Sequence, residues 1–96
     1  MQRRRAVDEI TREYEGLKAR GEKVIGQTIT RLVTVNGVRF TVEDGTWGLV
    51  RASSNKPSLV VVVESPVSED RMRAMFREID MRLSKYPEVG EYDQKI

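Results

Sequence analysis

The sequence predicts an α+β domain: a four-stranded antiparallel sheet with helices packed on one face. Two segments, one near each end of the chain, carry apolar residues at the spacing of an amphipathic helix. Between them lie four runs rich in β-branched residues, separated by short turn signals. Strands that follow one another through tight turns pair antiparallel, and the helices then cover one face of the sheet.

The first predicted helix runs from about Arg4 to Arg20, and Gly21 is a suitable place for it to end. Its apolar residues recur every three or four positions, and they are Val7, Ile10, Tyr14 and Leu17. Because so few apolar residues cover little surface, we expect residues 1–25 to form a helix and connector that are loosely attached.

The first two strands are predicted on either side of Asn36-Gly37. One runs from Ile29 to Val35 and the other from Val38 to Val42. Asn-Gly between such runs indicates a hairpin, because both central positions of a type I′ turn need a positive φ. Apolar and polar residues alternate in the second strand, so one of its faces is expected to be buried.

Two further strands complete the predicted sheet. A turn at Glu43-Asp44-Gly45 precedes a third strand from about Thr46 to Ala52, and a fourth strand runs from Ser58 to Glu64. The apolar residues of the fourth strand form an unbroken run, which favours a central position in the sheet.

The second predicted helix begins after Ser68, a good N-cap residue, and Glu69 and Asp70 suit its positive end. Its apolar stripe consists of Met72, Met75, Phe76, Ile79 and Leu83, and we expect these residues to fill the core. The helix is expected to end near Lys85, and residues 87–96 are expected to form a mobile tail.

The composition restricts what such a domain does. The chain has 96 residues, enough for one domain, and it contains neither cysteine nor histidine. Thiolate chemistry is therefore excluded, and catalysis by this chain alone would have to use carboxylates or lysines. The net charge of +2 argues only weakly for nucleic acid. No stretch is long and apolar enough to span a membrane, so we expect a cytoplasmic protein.

The segment "WGLVRASSNKP", residues 47–57, places a polar loop between two apolar strands. Five donor residues lie there within six positions and no carboxylate interrupts them: Arg51, Ser53, Ser54, Asn55 and Lys56. A guanidinium, short hydroxyls and the backbone N–H groups of a tight turn are the groups that bind phosphate best. The same residues also form ordinary soluble turns, so the pattern leaves both interpretations open. By alternation, Arg51 is expected to share a face with Leu49 and Trp47.

Residues 36–65, "NGVRFTVEDGTWGLVRASSNKPSLVVVVES", resemble the C-terminal domain of the α-D-phosphohexomutases, in the phosphomannomutase/phosphoglucomutase branch. Asn36-Gly37-Val38-Arg39 takes the place of the family's Asp-Gly-Val-Arg block. The run from Trp47 to Ser53 takes the place of its Trp-Gly-Leu-Val-Arg-Ala-Ser block. A proline, an apolar strand and a closing helix then follow in the same order as in the family. The resemblance covers roughly Gly26 to Lys85, which we take as the domain 26–86.

The resemblance implies a fold similar to the TATA-binding protein and a role within a four-domain enzyme. Such enzymes interconvert hexose 1- and 6-phosphates, and their Mg²⁺ site and phosphoserine lie in other domains. The C-terminal domain holds the substrate phosphate that is not being transferred. On this basis Arg51 and Ser53 correspond to the family's phosphate-binding arginine and serine. Ser54 stands where the family often has asparagine or glycine, and Asn55 stands where it usually has threonine. Lys56 is predicted as a phosphate ligand from its charge alone.

The implied partners are therefore a mannose or glucose phosphate and the other domains of a longer chain, with no nucleic acid and no membrane. No cofactor is expected in this chain, and we expect it to be catalytically inactive on its own. The sequence does not distinguish mannose from glucose. Trp47 is expected to pack against a helix or a neighbouring domain, with a sugar-stacking platform as the alternative.

Two other classes of function remain open at this point. One is a stand-alone module that binds anions or nucleic acid, since antiparallel sheets backed by helices often bind RNA. Only Phe40 and Trp47 supply aromatic rings on the predicted strands, which argues against it. The other is a structural oligomerisation domain, for which the apolar fourth strand is the only argument.

Overall fold

The structure is a computed structural model that describes residues 3–52, 59–86 and 92–95. Its helices and strands are, in chain order, α1 (Arg3–Arg20), β1 (Lys23–Val24), β2 (Gln27–Val33), β3 (Val38–Val42), β4 (Trp47–Ala52), β5 (Leu59–Glu64), α2 (Glu69–Leu83) and β6 (Tyr92–Lys95). The predicted α+β class is confirmed. None of the helices in these ranges is long and apolar enough to cross a membrane.

The strands form one sheet in the order β1-β2-β3-β4-β5-β6. Neighbours from β1 to β5 pair antiparallel, whereas β6 pairs parallel with β5. The prediction of four strands is therefore wrong in number, because β1 and β6 also belong to the sheet. A two-residue strand has no periodicity to detect, and β6 forms within the segment that was expected to be a mobile tail.

The predicted hairpin between β2 and β3 is present. Asn36 and Gly37 have φ values of 59° and 111°, so both positions carry the positive φ that the Asn-Gly signal indicated. The preceding strand ends at Val33 rather than Val35, because Val35 lies in the turn and is 74% exposed. The β3–β4 turn at Glu43-Asp44-Gly45 is also confirmed, and Gly45 N donates to Val42 O at 3.0 Å.

Both helices cover the same face of the sheet, as predicted. In β3 the apolar residues Val38, Phe40 and Val42 are buried and alternate with Arg39 and Thr41. The ring of Phe40 stacks against Tyr14 of α1, with the two ring centroids 3.9 Å apart. Its register partner in β4 is Gly48, against which Met75 and Ile79 of α2 pack. Phe40 and Gly48 thus lie side by side beneath the two helices.

The expectation that the first helix is loosely attached is wrong. Ala6, Ile10 and Tyr14 have no exposed surface and belong to the same core cluster as the sheet residues. The helix has few apolar residues, but all four of the predicted stripe are buried, and the helix packs against β2, β3 and β4. A short apolar stripe therefore suffices when a large aromatic ring supplies much of the buried area.

The second helix begins as predicted. The Ser68 hydroxyl accepts a hydrogen bond from Arg71 N at 3.1 Å, and Glu69 and Asp70 occupy the first turn. The helix ends at Leu83, two residues before the predicted end. Met75 is completely buried, which confirms the prediction that it fills the core.

Candidate anion-binding site

Arg51 lies near the end of β4, on the face of the sheet that the helices do not cover. Gly48 and Val50 are buried, while Trp47, Leu49 and Arg51 are half-buried, so the predicted alternation of β4 is confirmed. We call the uncovered side of β2–β5 the open face. Its strand positions are Arg31, Val33, Arg39, Thr41, Trp47, Leu49, Arg51, Val60, Val62 and Glu64.

Ser53, Ser54, Asn55 and Lys56, the other predicted phosphate ligands, lie outside the described residues. Their roles stay predictions. The two residues that flank the segment are described, and Ala52 and Leu59 are register partners in β4 and β5. Residues 53–58 therefore connect neighbouring strands at the end of the sheet where Arg51 lies.

Most N–H donors of the Arg51 guanidinium have no partner among the described residues. Its Nη1 donates to Ala52 O at 3.4 Å, and this is the only hydrogen bond of the group within the described ranges. A guanidinium carries five N–H donors in a planar fork that matches the oxygens of a phosphate. Most of these donors are therefore not used by the part of the protein that the structure describes.

The charges of the open face lie in rows that the strand register defines. Arg31 lies in the row of Trp47, whereas Arg39 pairs with Leu49, two positions from Arg51. Among the open-face positions of β2–β5 the only carboxylate is Glu64, and it is paired with Trp47 at the opposite end of β4. Within β2–β5, Arg51 is therefore closer in register to the cation Arg39 than to this carboxylate, while β6 places Asp93 beside Val60, the partner of Arg51.

Trp47 does not pack against either helix. It lies on the open face, so the expectation that it packs against a helix is wrong, while packing against another domain stays a prediction. The guanidinium carbon of Arg39 lies 4.1 Å from the centroid of its ring, a cation–π contact. Trp47 and Arg51 are four strand positions apart, roughly 13 Å at ~3.3 Å per residue. Because Arg39 occupies the ring and Arg51 is distant, the geometry does not favour a sugar platform at Trp47.

At the opposite end of the sheet, Asp44 is held by a network that the sequence analysis missed. Its side chain accepts hydrogen bonds from Thr46 N at 2.9 Å and from Arg71 Nε at 2.8 Å. Its own N–H donates to Oε1 of Gln27 at 2.9 Å. Burial raises the pKa of Asp44, but the hydrogen bonds from Thr46 and Arg71 outweigh it and lower the pKa to about 2.

A second network joins α1 to the end of α2. Glu13 accepts hydrogen bonds from Arg82 Nη1 at 3.1 Å, from Lys85 Nζ at 2.7 Å and from the Tyr86 hydroxyl. Arg82 also pairs with Glu78. Burial raises the pKa of Glu13, but the hydrogen bonds from Lys85, Tyr86 and Arg82 outweigh burial, so the pKa lies below its ordinary value. Both networks lie away from Arg51 and hold the fold together.

The described residues offer no obvious place for a metal ion. Within residues 3–52, 59–86 and 92–95, no group of three or more histidine, cysteine, aspartate or glutamate residues is close enough to bind one.

A family profile described as "Phosphoglucomutase/phosphomannomutase, C-terminal domain" matches residues 2–81. The chain belongs to this family. The matched range of this phosphoglucomutase/phosphomannomutase domain starts ahead of α1 and ends two residues before the end of α2. It therefore includes the first helix as well as Arg51 and residues 53–58.

The chain is also similar to a phosphopentomutase of Thermococcus kodakarensis. The two are 34% identical over 50 residues, which are 52% of this chain and 11% of the relative. The chain thus spans only a small part of that protein's length. No solved structure matches the chain.

Proposed function

We propose that this domain binds the phosphate group of a sugar phosphate that is not being transferred. It would thereby hold the sugar in place during intramolecular phosphoryl transfer by a larger phosphomannomutase/phosphoglucomutase. The observation that carries the proposal is the position of Arg51. Arg51 lies on the open face near the end of β4, next in sequence to the loop that is predicted to bind phosphate and within the range that matches the family.

Arg51 has the main part in this proposal. Two N–H groups of its guanidinium donate in parallel to two phosphate oxygens, which fixes both the position and the orientation of the group. Ser53 and Ser54 add hydroxyl donors, Asn55 adds an amide donor and Lys56 adds a positive charge. Because none of these groups takes part in bond making, their contribution to the reaction is the positioning of the substrate.

The remaining chemistry belongs to other domains in this proposal. Mg²⁺ and a phosphoserine, which the resemblance assigns to those domains, take no part in what the residues of this chain do. The 96-residue chain by itself is therefore expected to show no mutase activity. Its affinity for a sugar phosphate is expected in the millimolar range, about 4 kcal/mol, because the donors around the sugar lie elsewhere.

The sugar itself is expected to matter little for binding to this domain alone. The resemblance points to hexose phosphates of mannose or glucose, whereas the name of the Thermococcus kodakarensis relative refers to a pentose. If only the phosphate is held here, mannose 6-phosphate, glucose 6-phosphate and ribose 5-phosphate should bind the chain with similar affinity. Discrimination among the sugars would then arise in the parent enzyme.

A backbone amide NMR titration of the 96-residue chain with glucose 6-phosphate tests the proposal. We expect saturable shifts at Arg51 and residues 52–59, which the Arg51→Ala variant abolishes. Arg31→Ala is the matched control, because it removes an exposed arginine from the same face and should leave the shifts unchanged. Shifts spread evenly over the surface cations, or equal losses in both variants, would contradict the proposal.

The stand-alone nucleic-acid alternative finds less support on the open face. Single-stranded nucleic acids bind to such sheets mainly by stacking bases on exposed aromatic rings. Phe40 is buried beneath the helices, and Arg39 covers the ring of Trp47. A short RNA should therefore bind the chain no more tightly than inorganic polyphosphate does.

A further inference from the structure

The turn between β2 and β3 touches the residue that carries the proposed phosphate-binding guanidinium. A Cβ atom added to Gly37 would lie 2.2 Å from the carbonyl oxygen of Val50 and 2.9 Å from both Cα and Cβ of Arg51. Side-chain carbons do not approach other atoms so closely. Only the bare backbone of a glycine fits against β4 at this point.

The connectivity explains why these two segments meet. In an antiparallel meander, the β2–β3 turn and the β4–β5 connection lie at the same end of the sheet. The register agrees, because Val38 pairs with Val50 and Ala52 pairs with Leu59. The β3–β4 turn that contains Gly45 lies at the opposite end.

Strand β4 cannot easily move away from the turn. Gly48 and Val50 are buried beneath the helices, and a Cβ on Gly48 would lie 2.6 Å from Ile79 Cδ1. Close-packed interiors transmit displacements rather than absorb them. The backbone at Arg51 is therefore held by two contacts. The preceding residues Gly48 and Val50 are fixed in the core, and the Gly37 backbone lies against Arg51 itself.

We propose that Gly37 is a positioning residue of the phosphate site, acting through its backbone contact with Val50 and Arg51. The inference rests on the proposed function and adds a structural element to it. With its Cα fixed, Arg51 needs to order only its side chain when phosphate binds, so less conformational entropy is lost. The contact also fixes the point at which the chain leaves β4 and enters residues 53–58.

The ordinary interpretation is that Gly37 serves stability alone, as a tight turn does in any hairpin. Two other glycines separate the interpretations. Gly45 also has a positive φ, 92°, and a tight contact, since its added Cβ would lie 2.9 Å from Pro66 Cγ, but it belongs to the other end of the sheet. Gly21 has a φ of 69° and nothing within 4 Å of an added Cβ.

The first arm of the test uses the unaltered chain. In a titration with inorganic phosphate and then with glucose 6-phosphate, the Gly37 amide should shift with the same dissociation constant as the Arg51 amide. The Gly45 amide should not shift. A titration in which Arg51 responds and Gly37 does not would overturn the positioning role and leave the proposed function standing. No saturable response at Arg51 would overturn both.

The second arm compares Gly37→Ala, Gly45→Ala and Gly21→Ala. All three should lose stability, because alanine at a positive φ is strained. Only Gly37→Ala should weaken phosphate binding, by about fivefold or more, since it alone displaces Arg51. If Gly45→Ala weakens binding as much, the positioning role is wrong. Should Gly37→Ala fail to fold, the amide titration of the unaltered chain decides the positioning role by itself.

Discussion

Arg71 in the first turn of α2 donates from Nε to Oδ2 of Asp44 at 2.8 Å, which fastens the helix to the β3–β4 turn. The same guanidinium donates from Nη1 to the carbonyl oxygen of Ile25 at 2.8 Å. Ile25 has a φ of 45°, which is uncommon for a β-branched residue. One side chain thus holds together three segments at the end of the sheet opposite Arg51.

The Arg71→Met variant is expected to lose about 2–3 kcal/mol of unfolding free energy, because it leaves the partly buried Asp44 carboxylate without its cation. Arg73→Met is the matched control. Arg73 pairs with Glu69 one turn away on the exposed surface of the same helix, and its loss should cost less than about 0.5 kcal/mol. Urea unfolding at pH 7 measures the unfolding free energy that each variant loses. Equal losses would mean that the Asp44 contact adds nothing.

Acid should destabilise the protein through Asp44. Its pKa is about 2 in the folded protein against an ordinary value of 3.8, so the unfolded chain takes up the proton first as the pH falls. The stabilisation is fully present above about pH 4 and is lost as the pH falls towards 2, by roughly 1–2 kcal/mol. The pKa values of Glu13 and Glu43 are also lowered, so they contribute in the same direction. Unfolding in urea at pH 5 and at pH 2.5 gives the loss.

The contribution of Asp44 itself comes from the Asp44→Asn variant. The variant should be less stable than the unaltered chain at pH 5, and the difference between the two should shrink at pH 2.5. A difference that stays constant over this range would show that the Asp44 carboxylate does not titrate with folding.

The same substitution should have opposite effects at Gly48 and Gly16. Gly48→Ala places a Cβ 2.6 Å from Ile79 Cδ1 and 3.2 Å from Phe40 Cζ in the core, so overpacking should cost about 1–3 kcal/mol. At Gly16 in α1 the added Cβ meets only the flexible end of Arg20, and alanine should stabilise the helix by about 0.5–1 kcal/mol. Thermal unfolding of the two variants measures the direction of each change in stability. A stabilised Gly48→Ala would mean that α2 does not pack on β4 as closely as described.

Tyr14 should resist ionisation. Burial raises its pKa well above 10, and the neighbouring Glu78 carboxylate raises it further. The stabilisation that its protonated hydroxyl gives is complete below pH 10 and is lost as the pH rises, because the unfolded chain ionises first. An absorbance titration should show one of the three tyrosines ionising only as the protein unfolds.

Tyr14→Phe separates the hydroxyl from the ring. The hydroxyl donates to Oε2 of Glu78 at 3.1 Å, and its removal should cost about 1 kcal/mol while the stacking on Phe40 remains. Tyr14→Ala removes the ring as well and should cost about 3–5 kcal/mol. In Tyr14→Phe the alkaline transition should move to higher pH, and an unchanged transition would assign it to another group.

Local signals predicted the parts of the fold that depend on neighbouring residues. The positive φ values at Asn36 and Gly37, the cap at Ser68 and the alternation of β4 all follow from a few consecutive residues. The face on which Arg51 lies could therefore be predicted from the sequence, and the structure confirms it. The burial of α1 could not, because it depends on the stacking of Tyr14 on a ring 26 positions away in the chain.

The contacts that the sequence did not reveal join residues far apart in the chain. Arg71 and Asp44 are 27 positions apart, and Arg82 and Glu13 are 69 apart, so no short pattern marks them. The approach of Gly37 to Arg51 becomes visible only when the register of β3 and β4 is known. The family resemblance supplied roles for Arg51 and Ser53, but it could not supply these distances.

The parallel pairing of β6 with β5 has a consequence for the order of folding. Strands β1 to β5 pair with their neighbours along the chain, whereas β6 reaches β5 only after α2 has crossed over. Contacts between distant residues form late, so β6 should be the last strand to join and the first whose amides exchange with deuterium. Until it joins, the valine-rich β5 is an unprotected sheet edge, which is the kind of surface on which chains aggregate. During refolding, therefore, we expect the docking of β6 to protect β5 from pairing with another chain.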